Sequence, residues 1–524
     1  MTLSISRDIP LRPRDAAMPP LRPASGPQRA PRAAQMAAAL AGLAAIGAYL
    51  FVALSRLDYP FALEQLEGNS LVEVHRILTG QSLYPAPTAQ YVPDGYPPLY
   101  FYVSAAVARV LGVSYLSLRL VSLIFSLACF ALLARLVQRE TGSAAAAIGS
   151  AGMFAATYFV AGTWFDFARV DSLFLALSIG ALYAARHMRA TRGAIAVGVL
   201  LAAAALTKQT GLAEGVAVVA ALLTGPRRRL AVVAALTAIA VLGASTFALR
   251  LTSGGWYTFY TIKQMSEHAL TYGNFGWFWT ALLTATGLAG CAALIGARRV
   301  PRELLAGCAA LAVEGYVTLV HSGGAINDML PAYLAVALLA GLALGSSVRW
   351  ITITSGVLVL AQSVFLLMIS HPSQAIPTSA DRAAGERLVA GMRAFGGDVT
   401  YPGDPSLSLL AGMAPAAVPG AVDDVLRATD KVGIMSYRSS AREAVKSRKF
   451  SAFITVSPGP PLNRPSDLAR DYQECLQSPA KGAAVLLVPV AEHPARPAVL
   501  WIPRGSGSCA DAIALLDGGK ADRS

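Results

Sequence analysis

The stretch Met36 to Leu54, MAAALAGLAAIGAYLFVAL, carries no charge and is close to the roughly 20 apolar residues that a helix needs to cross a bilayer. Before it, residues 1–35 scatter Arg7, Arg12, Arg14, Arg22, Arg29 and Arg32 among prolines and alanines with no apolar period. That composition predicts a disordered basic tail. The tail is too long and too broken by proline for a signal-peptide leader, and no small-residue cleavage site follows the apolar run. The run therefore reads as a retained first helix with a cytoplasmic N-terminus.

Further apolar stretches follow at about 115–137, 143–162, 171–187, 193–206, 211–224, 230–250, 276–297, 303–320, 329–346 and 350–370. Gly, Ala and Ser are dense in them, as where helices pack closely in lipid. With the first run they predict a mainly α, polytopic membrane helix bundle of about 11 spans over residues 36–370. The composition agrees. Of 524 residues 55% are hydrophobic and 14% charged, against about 25% charged in ordinary soluble domains. A disordered chain is excluded by this apolarity, and a disulfide scaffold by 5 cysteines in 524 residues.

A net charge of +13 would suggest nucleic acid in a soluble protein, but in a membrane protein it is first a topology signal. Alternating the spans from a cytoplasmic N-terminus puts Arg135 and Arg139, then Arg186, Arg189 and Arg192, then Arg227, Arg228 and Arg229 on the inner side. Arg298, Arg299, Arg302 and Arg349 join them. Pro98–Gly112 is too short to span and is expected to lie at the outer interface or to re-enter, which preserves the alternation. A long first outer loop then covers 55–114. Residues 371–524 mix charges, Pro-rich joints and short helix- and strand-like runs, and predict a small C-terminal α/β domain on the outer side. Expected there are a helix over Asp381–Phe395, a helix over Ala441–Phe450, and strands over Asp398–Tyr401, Ser451–Val456, Ala483–Val490 and Ala498–Ile502. Cys475 and Cys509 both fall in it, where a disulfide is allowed.

Polar residues at the outer ends of spans need a reason. The first outer loop holds Asp58, Glu64 and Glu67 just beyond a membrane helix, where desolvation suits a carboxylate to general-base work. The second reads Phe165-Asp166-Phe167-Ala168-Arg169-Val170-Asp171, an Arg beside acids where ionisable groups usually face a cavity. Lys208, in Thr207-Lys208-Gln209-Thr210, stands alone among the cations of its region and suits a phosphate. Trp256, Tyr257, Tyr272, Trp277 and Trp279 make the fourth outer loop aromatic, an interfacial belt or a lid over sugar or prenyl chain. His321, Asn327 and Asp328 flank the close-approach pair Gly323-Gly324. No nucleophile elbow, P-loop or dinucleotide fingerprint is present.

Several of these elements together resemble a known family. They are Tyr96-Pro97-Pro98-Leu99-Tyr100 closing the first loop, Leu111-Gly112-Val113-Ser114 with Leu118-Arg119-Leu120-Val121-Ser122, Ala168-Arg169-Val170-Asp171, Thr207-Lys208-Gln209-Thr210, Gly323-Gly324-Ala325-Ile326-Asn327, and the segment Asp404 to Gly412. Over residues 36–412 the chain is similar to the GT-C-type integral membrane glycosyltransferases. Within them it resembles the RgtA/B/C/D-like group, relatives of the protein O-mannosyltransferases and the lipid A aminoarabinose transferase.

The resemblance implies an inverting glycosyltransferase of a bacterial inner membrane, which moves a sugar from a polyprenyl-phosphate donor to an acceptor hydroxyl on the periplasmic side and has its C-terminal α/β domain there. Its acceptor is a glycolipid, polysaccharide or protein; its surroundings are membrane lipid, with no nucleic acid. Glu67 matches the first-loop acid and is the expected base, with Asp58 and Glu64 competing. Asp171 would position acceptor or metal. Arg169, Lys208 and Gln209 would hold the donor phosphate, and Tyr96, Asn327 and His321 would contact substrate. If a divalent metal ion takes part, Asp171 and Glu67 are its candidate ligands. Two other classes stand beside this reading. A transporter or flippase of lipid-linked sugars needs midplane polar residues, of which Glu214 and Glu314 are the main ones here, and matching broken halves, which are not visible. A non-catalytic membrane scaffold is the other.

Overall fold

Alanine-rich and leucine-rich runs bounded by Ser and Gly become helices with defined ends. Ser114 caps the helix Tyr115–Thr141 through the backbone N–H of Ser117, and Gly142 at φ 73° closes it. Ser143 caps the next, accepting from Ala146. The computed structural model describes residues 29–455, 468–475 and 499–516. Its bundle comprises α1 (Arg29–Arg56), α2 (Glu67–Leu78), α3 (Leu99–Leu111), α4 (Tyr115–Thr141), α5 (Ala144–Ala156), α6 (Asp171–His187), α7 (Thr191–Thr207), α8 (Gly211–Leu223) and α9 (Arg228–Thr252). The short α10 (Trp256–Thr258) runs into a π-turn, Phe259–Gln264. Then come α11 (Gly273–Gly296), α12 (Arg302–Val320), α13 (Leu330–Leu344) and α14 (Arg349–Met368).

Among the described residues seven helices are long and apolar enough to cross a membrane: α1, α4, α9, α11, α12, α13 with its leading turn, and α14. The other four of the expected spans are shorter. α5 and α8 have 13 residues, α6 and α7 have 17. α1 begins at Arg29, so the end of the expected basic tail is already helical, as its alanines favour. α3 is a separate helix of 13 residues with Tyr100, Phe101, Ser104, Ala105 and Ala108 buried on one side.

The run 143–162 does not stay helical. α5 stops at Ala156, and residues 157–170 form a buried irregular segment. Gly162 at φ 68° and Thr163 at φ 60° turn the chain there. Irregular backbone buried in a membrane protein must have its polar groups satisfied from within. Arg56, at the end of α1, does this. Its guanidinium donates to the Thr163 carbonyl at 2.9 Å, to the Thr163 hydroxyl at 3.1 Å, and to both Asp166 oxygens at 2.8 Å.

Helix packing depends on small residues. α1 lies against α5 and α14, α4 against α5 and α6, α12 against α8 and α13. At the α1–α5 crossing a Cβ built on Gly152 would sit 2.0 Å from the Gly42 Cα. We expect Gly152→Ala to lower the melting temperature in detergent, costing about 1–3 kcal/mol by overpacking; an unchanged melting curve would show that the crossing yields freely.

Ion pairs tie the helix ends together. At one end Arg186 bonds Glu140 at 2.9 Å and approaches Glu303 at 3.4 Å, while Arg227 bonds Glu303 at 2.5 Å. The ends of α4 and α6, the α8–α9 turn and the start of α12 therefore share one end of the bundle. Glu64, Arg169, Lys208 and Asp328 lie at the other.

Beyond α14 come α15 (Ser379–Phe395), β1 (Val399–Thr400), α16 (Pro405–Leu410), α17 (Pro419–Arg427), α18 (Lys431–Lys446), β2 (Ala452–Thr455), α19 (Leu468–Asp471), β3 (Tyr472–Cys475), β4 (Val499–Pro503) and α20 (Cys509–Leu516). The four strands form one sheet in the order β1-β2-β4-β3, with β1 and β2 parallel and the other pairs antiparallel. α18 starts well before the helix expected over Ala441–Phe450, because Asp430 accepts the N–H groups of Val432 and Gly433 and caps it. The strand β3 was not expected, and the expected strand Ala483–Val490 lies outside the described residues. Cys475 and Cys509 form a disulfide joining β3 to α20, with Cα atoms 5.5 Å apart.

This region leans on the first loop. Asp404 Oδ1 occupies the space where a Cβ of Gly68 on α2 would sit, 2.3 Å away. On the far side of the loop, Ser436 of α18 donates to the Pro87 carbonyl at 3.2 Å and Ser440 accepts the Ala89 N–H at 3.1 Å.

Candidate functional site

The three first-loop acids part company in three dimensions. Glu67 opens α2 and is fully buried. Arg119 on α4 grips both its oxygens, at 3.0 and 2.7 Å, while the N–H groups of Ala168 and Leu63 donate to it at 2.6 and 2.7 Å. Burial alone would raise its pKa, but Arg119 and the two N–H bonds hold it below the usual carboxylate range. A carboxylate so engaged has no lone pair free for an incoming hydroxyl, which argues against Glu67 as the base. It is instead the pin that joins α2, α4 and the segment before α6. Asp58 is 71% exposed and faces Arg382 at 3.2 Å, apart from the other acids.

Glu64 is different. One oxygen accepts the Leu66 N–H at 2.9 Å and lies 3.9 Å from Arg169 Nε. Burial pushes its carboxyl up to about 7, against the downward pull of Arg169. A buried group titrating near neutrality, with spare acceptor capacity, has the properties of a general base.

Arg169 is the hub. It sits at the end of the irregular segment, buried, with Nη2 3.2 Å from the Tyr96 hydroxyl and Nη1 3.5 Å from Asp94 Oδ2. Its guanidinium lies over the rings of Tyr96 and Trp164, at 5.2 and 5.6 Å from their centroids. Burial works against its charge, but Tyr96 and the acids around it more than offset this and raise its pKa. The Arg169–Asp171 pair that adjacency in sequence suggests does not form. Asp171 turns instead to Lys208.

Lys208 caps α7, and its ammonium lies 3.0 Å from Asp328 and 3.4 Å from Asp171. Asn327 donates to the same Asp171 oxygen at 3.2 Å. Burial lowers the lysine's pKa, yet Asp328 and Asp171 together raise it. Gln209 donates to the Gly95 carbonyl at 3.1 Å, linking this group to the Tyr96 side of the site. Five chain segments thus converge: the first loop at 64 and at 94–96, the segment before α6, the α7–α8 break, and the turn before α13.

Several buried polar atoms here have no hydrogen-bond partner: Arg169 Nε, Asp171 Oδ2, Gln209 Oε1 and Trp164 Nε1. Such groups are costly in a dry interior unless something polar meets them. Among the described residues no group of three His, Cys, Asp or Glu side chains is disposed to hold a metal ion. Of the two candidate ligands, Glu67 is taken by Arg119 and Asp171 Oδ1 by Lys208 and Asn327.

His321 lies outside this cluster. Its backbone bridges to Leu270, and its neighbourhood is that of His268, whose Nε2 is 3.4 Å from Asp424 on α17. The acids Glu73 and Asp94 were not singled out in the sequence, although both stand close behind Arg169. Asp94 immediately precedes the Gly95–Tyr100 element and was the more visible of the two.

The family model described as dolichyl-phosphate-mannose-protein mannosyltransferase matches residues 95–256, which include Tyr96, Arg169, Asp171 and Lys208. No curated protein matches the chain in sequence. Among solved structures, ArnT from Cupriavidus metallidurans bound to undecaprenyl phosphate aligns with a TM-score of 0.57 at 12% identity, covering 89% of this chain and 98% of that one. The same protein in the apo state gives 0.58 at 12% identity, over 91% and 99%. The chain therefore has the GT-C-type membrane glycosyltransferase fold.

Proposed function

We propose that this chain is an integral membrane glycosyltransferase that moves a sugar from a polyprenyl-phosphate donor to an acceptor hydroxyl. The observation that carries the reading is the pairing of two buried cations, Arg169 and Lys208, with Glu64 and unpartnered polar atoms at one end of the bundle. Supporting it are the match to a mannosyltransferase family over 95–256 and the likeness to a fold seen with undecaprenyl phosphate bound.

In this mechanism Glu64 takes the proton of the acceptor hydroxyl as its oxygen attacks the anomeric carbon. The bond from that carbon to the phosphate oxygen breaks, and its electron pair leaves with polyprenyl phosphate. Attack opposite the leaving group inverts the anomeric centre. Arg169 and Lys208 stabilise the charge gathering on the phosphate, which acts most strongly in a site shielded from water. Tyr96 and Asn327 orient Arg169 and Asp171 and line the substrate's path. The Arg-rich end of the bundle is assigned to the cytoplasm by the positive-inside rule. Residues 36–370 are then the transferase domain, the reaction lies on the periplasmic side of the inner membrane, and 371–524 form a periplasmic domain over the first loop.

The test uses the full chain in detergent with polyprenyl-phosphate-linked sugars and a lipid or glycan extract as acceptor. Mass spectrometry should find a glycosylated acceptor and an equal amount of free polyprenyl phosphate. Flux of the intact donor across liposomes without any transfer product would replace this reading by a transporter.

A further inference from the structure

Two carboxyl groups stand behind Arg169 with no part in the transfer as drawn. Glu73, on α2, accepts the Asp94 backbone N–H on Oε1 at 2.8 Å, and its buried Oε2 has no hydrogen-bond partner. Asp94 accepts from Asn69 on Oδ1 at 2.7 Å and turns Oδ2 to Arg169. Both side chains are buried. Two acids linked this closely in a dry site do not both ionise readily, because the first charge opposes the second. Burial and the nearby Asp94 lift Glu73 well above the ordinary carboxylate range, which favours a proton held between the two acids. Asp94 is itself raised by burial, against the pull of Arg169 and the bond from Asn69.

The groups facing the pair come from several elements. Arg76 shares α2 with Glu73, and Tyr84 and Tyr91 belong to the loop that follows. Glu64 and Arg169 face it from the donor site, and Asp424 from α17. The cations of the site are already matched. Glu64 and Asp94 flank Arg169, and Asp171 and Asp328 flank Lys208. A phosphate entering this set adds a negative charge beside two buried cations that already face carboxylates. Without compensation that is costly.

We propose that Asp94 and Glu73 form a proton store for the donor site, holding one proton when it is empty and taking a second when a phosphate pairs with Arg169. The second proton comes from solvent and goes to Asp94 Oδ2, the atom from which the phosphate draws the guanidinium. It returns to solvent when polyprenyl phosphate leaves, and only this O–H bond is made and broken. Both acids are positioning residues. The proposal rests on the reading above, that a phosphate binds at Arg169.

Calorimetric titration of the full chain with undecaprenyl phosphate, in two buffers of different ionisation heat, counts the protons. The expected result is uptake of about one proton per phosphate bound, with affinity weakening by up to about tenfold per pH unit as the pH rises. Glu73→Gln, which fixes the neutral form, should keep the uptake. Asp94→Asn should bind without uptake and without the pH dependence. Binding to the unaltered chain with no uptake overturns the proposal, as does uptake that survives Asp94→Asn but is lost in Glu64→Gln.

A second measurement needs no phosphate. The infrared carbonyl band of a protonated carboxyl should be present in the empty protein and reduced in Glu73→Gln. If Glu73→Gln leaves that band unchanged, the shared proton is wrong whatever binds. If the band falls in Glu73→Gln but undecaprenyl phosphate does not bind, the donor reading fails and the uptake with it, while the shared proton stands.

Discussion

Glu64→Gln should abolish transfer and leave the fold intact, whereas Glu67→Gln should damage the fold. The two residues are three apart in the same loop, and only their partners separate them. Glu64 holds one backbone N–H at 2.9 Å and a loose ionic contact with Arg169 at 3.9 Å. An amide of the same shape loses little there, but it cannot take a proton from a hydroxyl. Loss of a positioned base costs roughly 10²–10⁴-fold in rate. Since burial holds Glu64 near 7, the rate of the unaltered enzyme should rise with pH and level off above about 7, where the base is ionised.

Glu67 is the charged half of a buried pair with Arg119, both fully buried. Gln at 67 would leave Arg119 as an uncompensated cation in the interior, a loss of about 3–5 kcal/mol. Melting curves and turnover measured on the same preparations distinguish the two. An active Glu64→Gln protein, or a Glu67→Gln protein that folds normally yet does not turn over, would return the role of base to Glu67.

The spans were legible because each announces itself by an apolar run, some bounded by a capping Ser or a closing Gly such as Ser114 and Gly142, whereas the polar α2 was not. Arg169 and Lys208 were legible because an isolated cation between apolar runs has few structural reasons to exist. Choosing among the acids was not possible at that level. Glu67 looks like its neighbours until Arg119, 52 residues away on α4, is brought to it. The link between Glu73 and Asp94 likewise depends on how α2 packs beneath the returning loop. The first part of the irregular segment, 157–162, is apolar enough to pass for helix. What opens it is a left-handed turn at Gly162 and Thr163, supported from α1 by Arg56. The sequence around 163 alone does not show that support. Asp171 was seen beside Arg169, and adjacency suggested a pair, but the helix start at Asp171 points its carboxylate to the α7–α8 break.

Lys208→Ala is expected to remove transfer and also to destabilise the protein, and the two effects have separable causes. The ammonium is the only cation bonded to Asp171 and Asp328 among the described residues, at 3.4 and 3.0 Å. Without it two buried carboxylates lose the cation they share, which costs about 3–5 kcal/mol unless a proton is taken up. Loss of a charge-stabilising donor in a shielded site lowers the rate by roughly 10²–10³-fold on its own. Replacing all three charges together, as Lys208→Met with Asp171→Asn and Asp328→Asn, removes the cation along with the two acids it neutralises. That variant should melt close to the unaltered protein and still fail to transfer, because nothing at 208 meets the departing phosphate. If transfer returns along with stability, Lys208 serves only to neutralise the two acids, and Arg169 alone carries the phosphate.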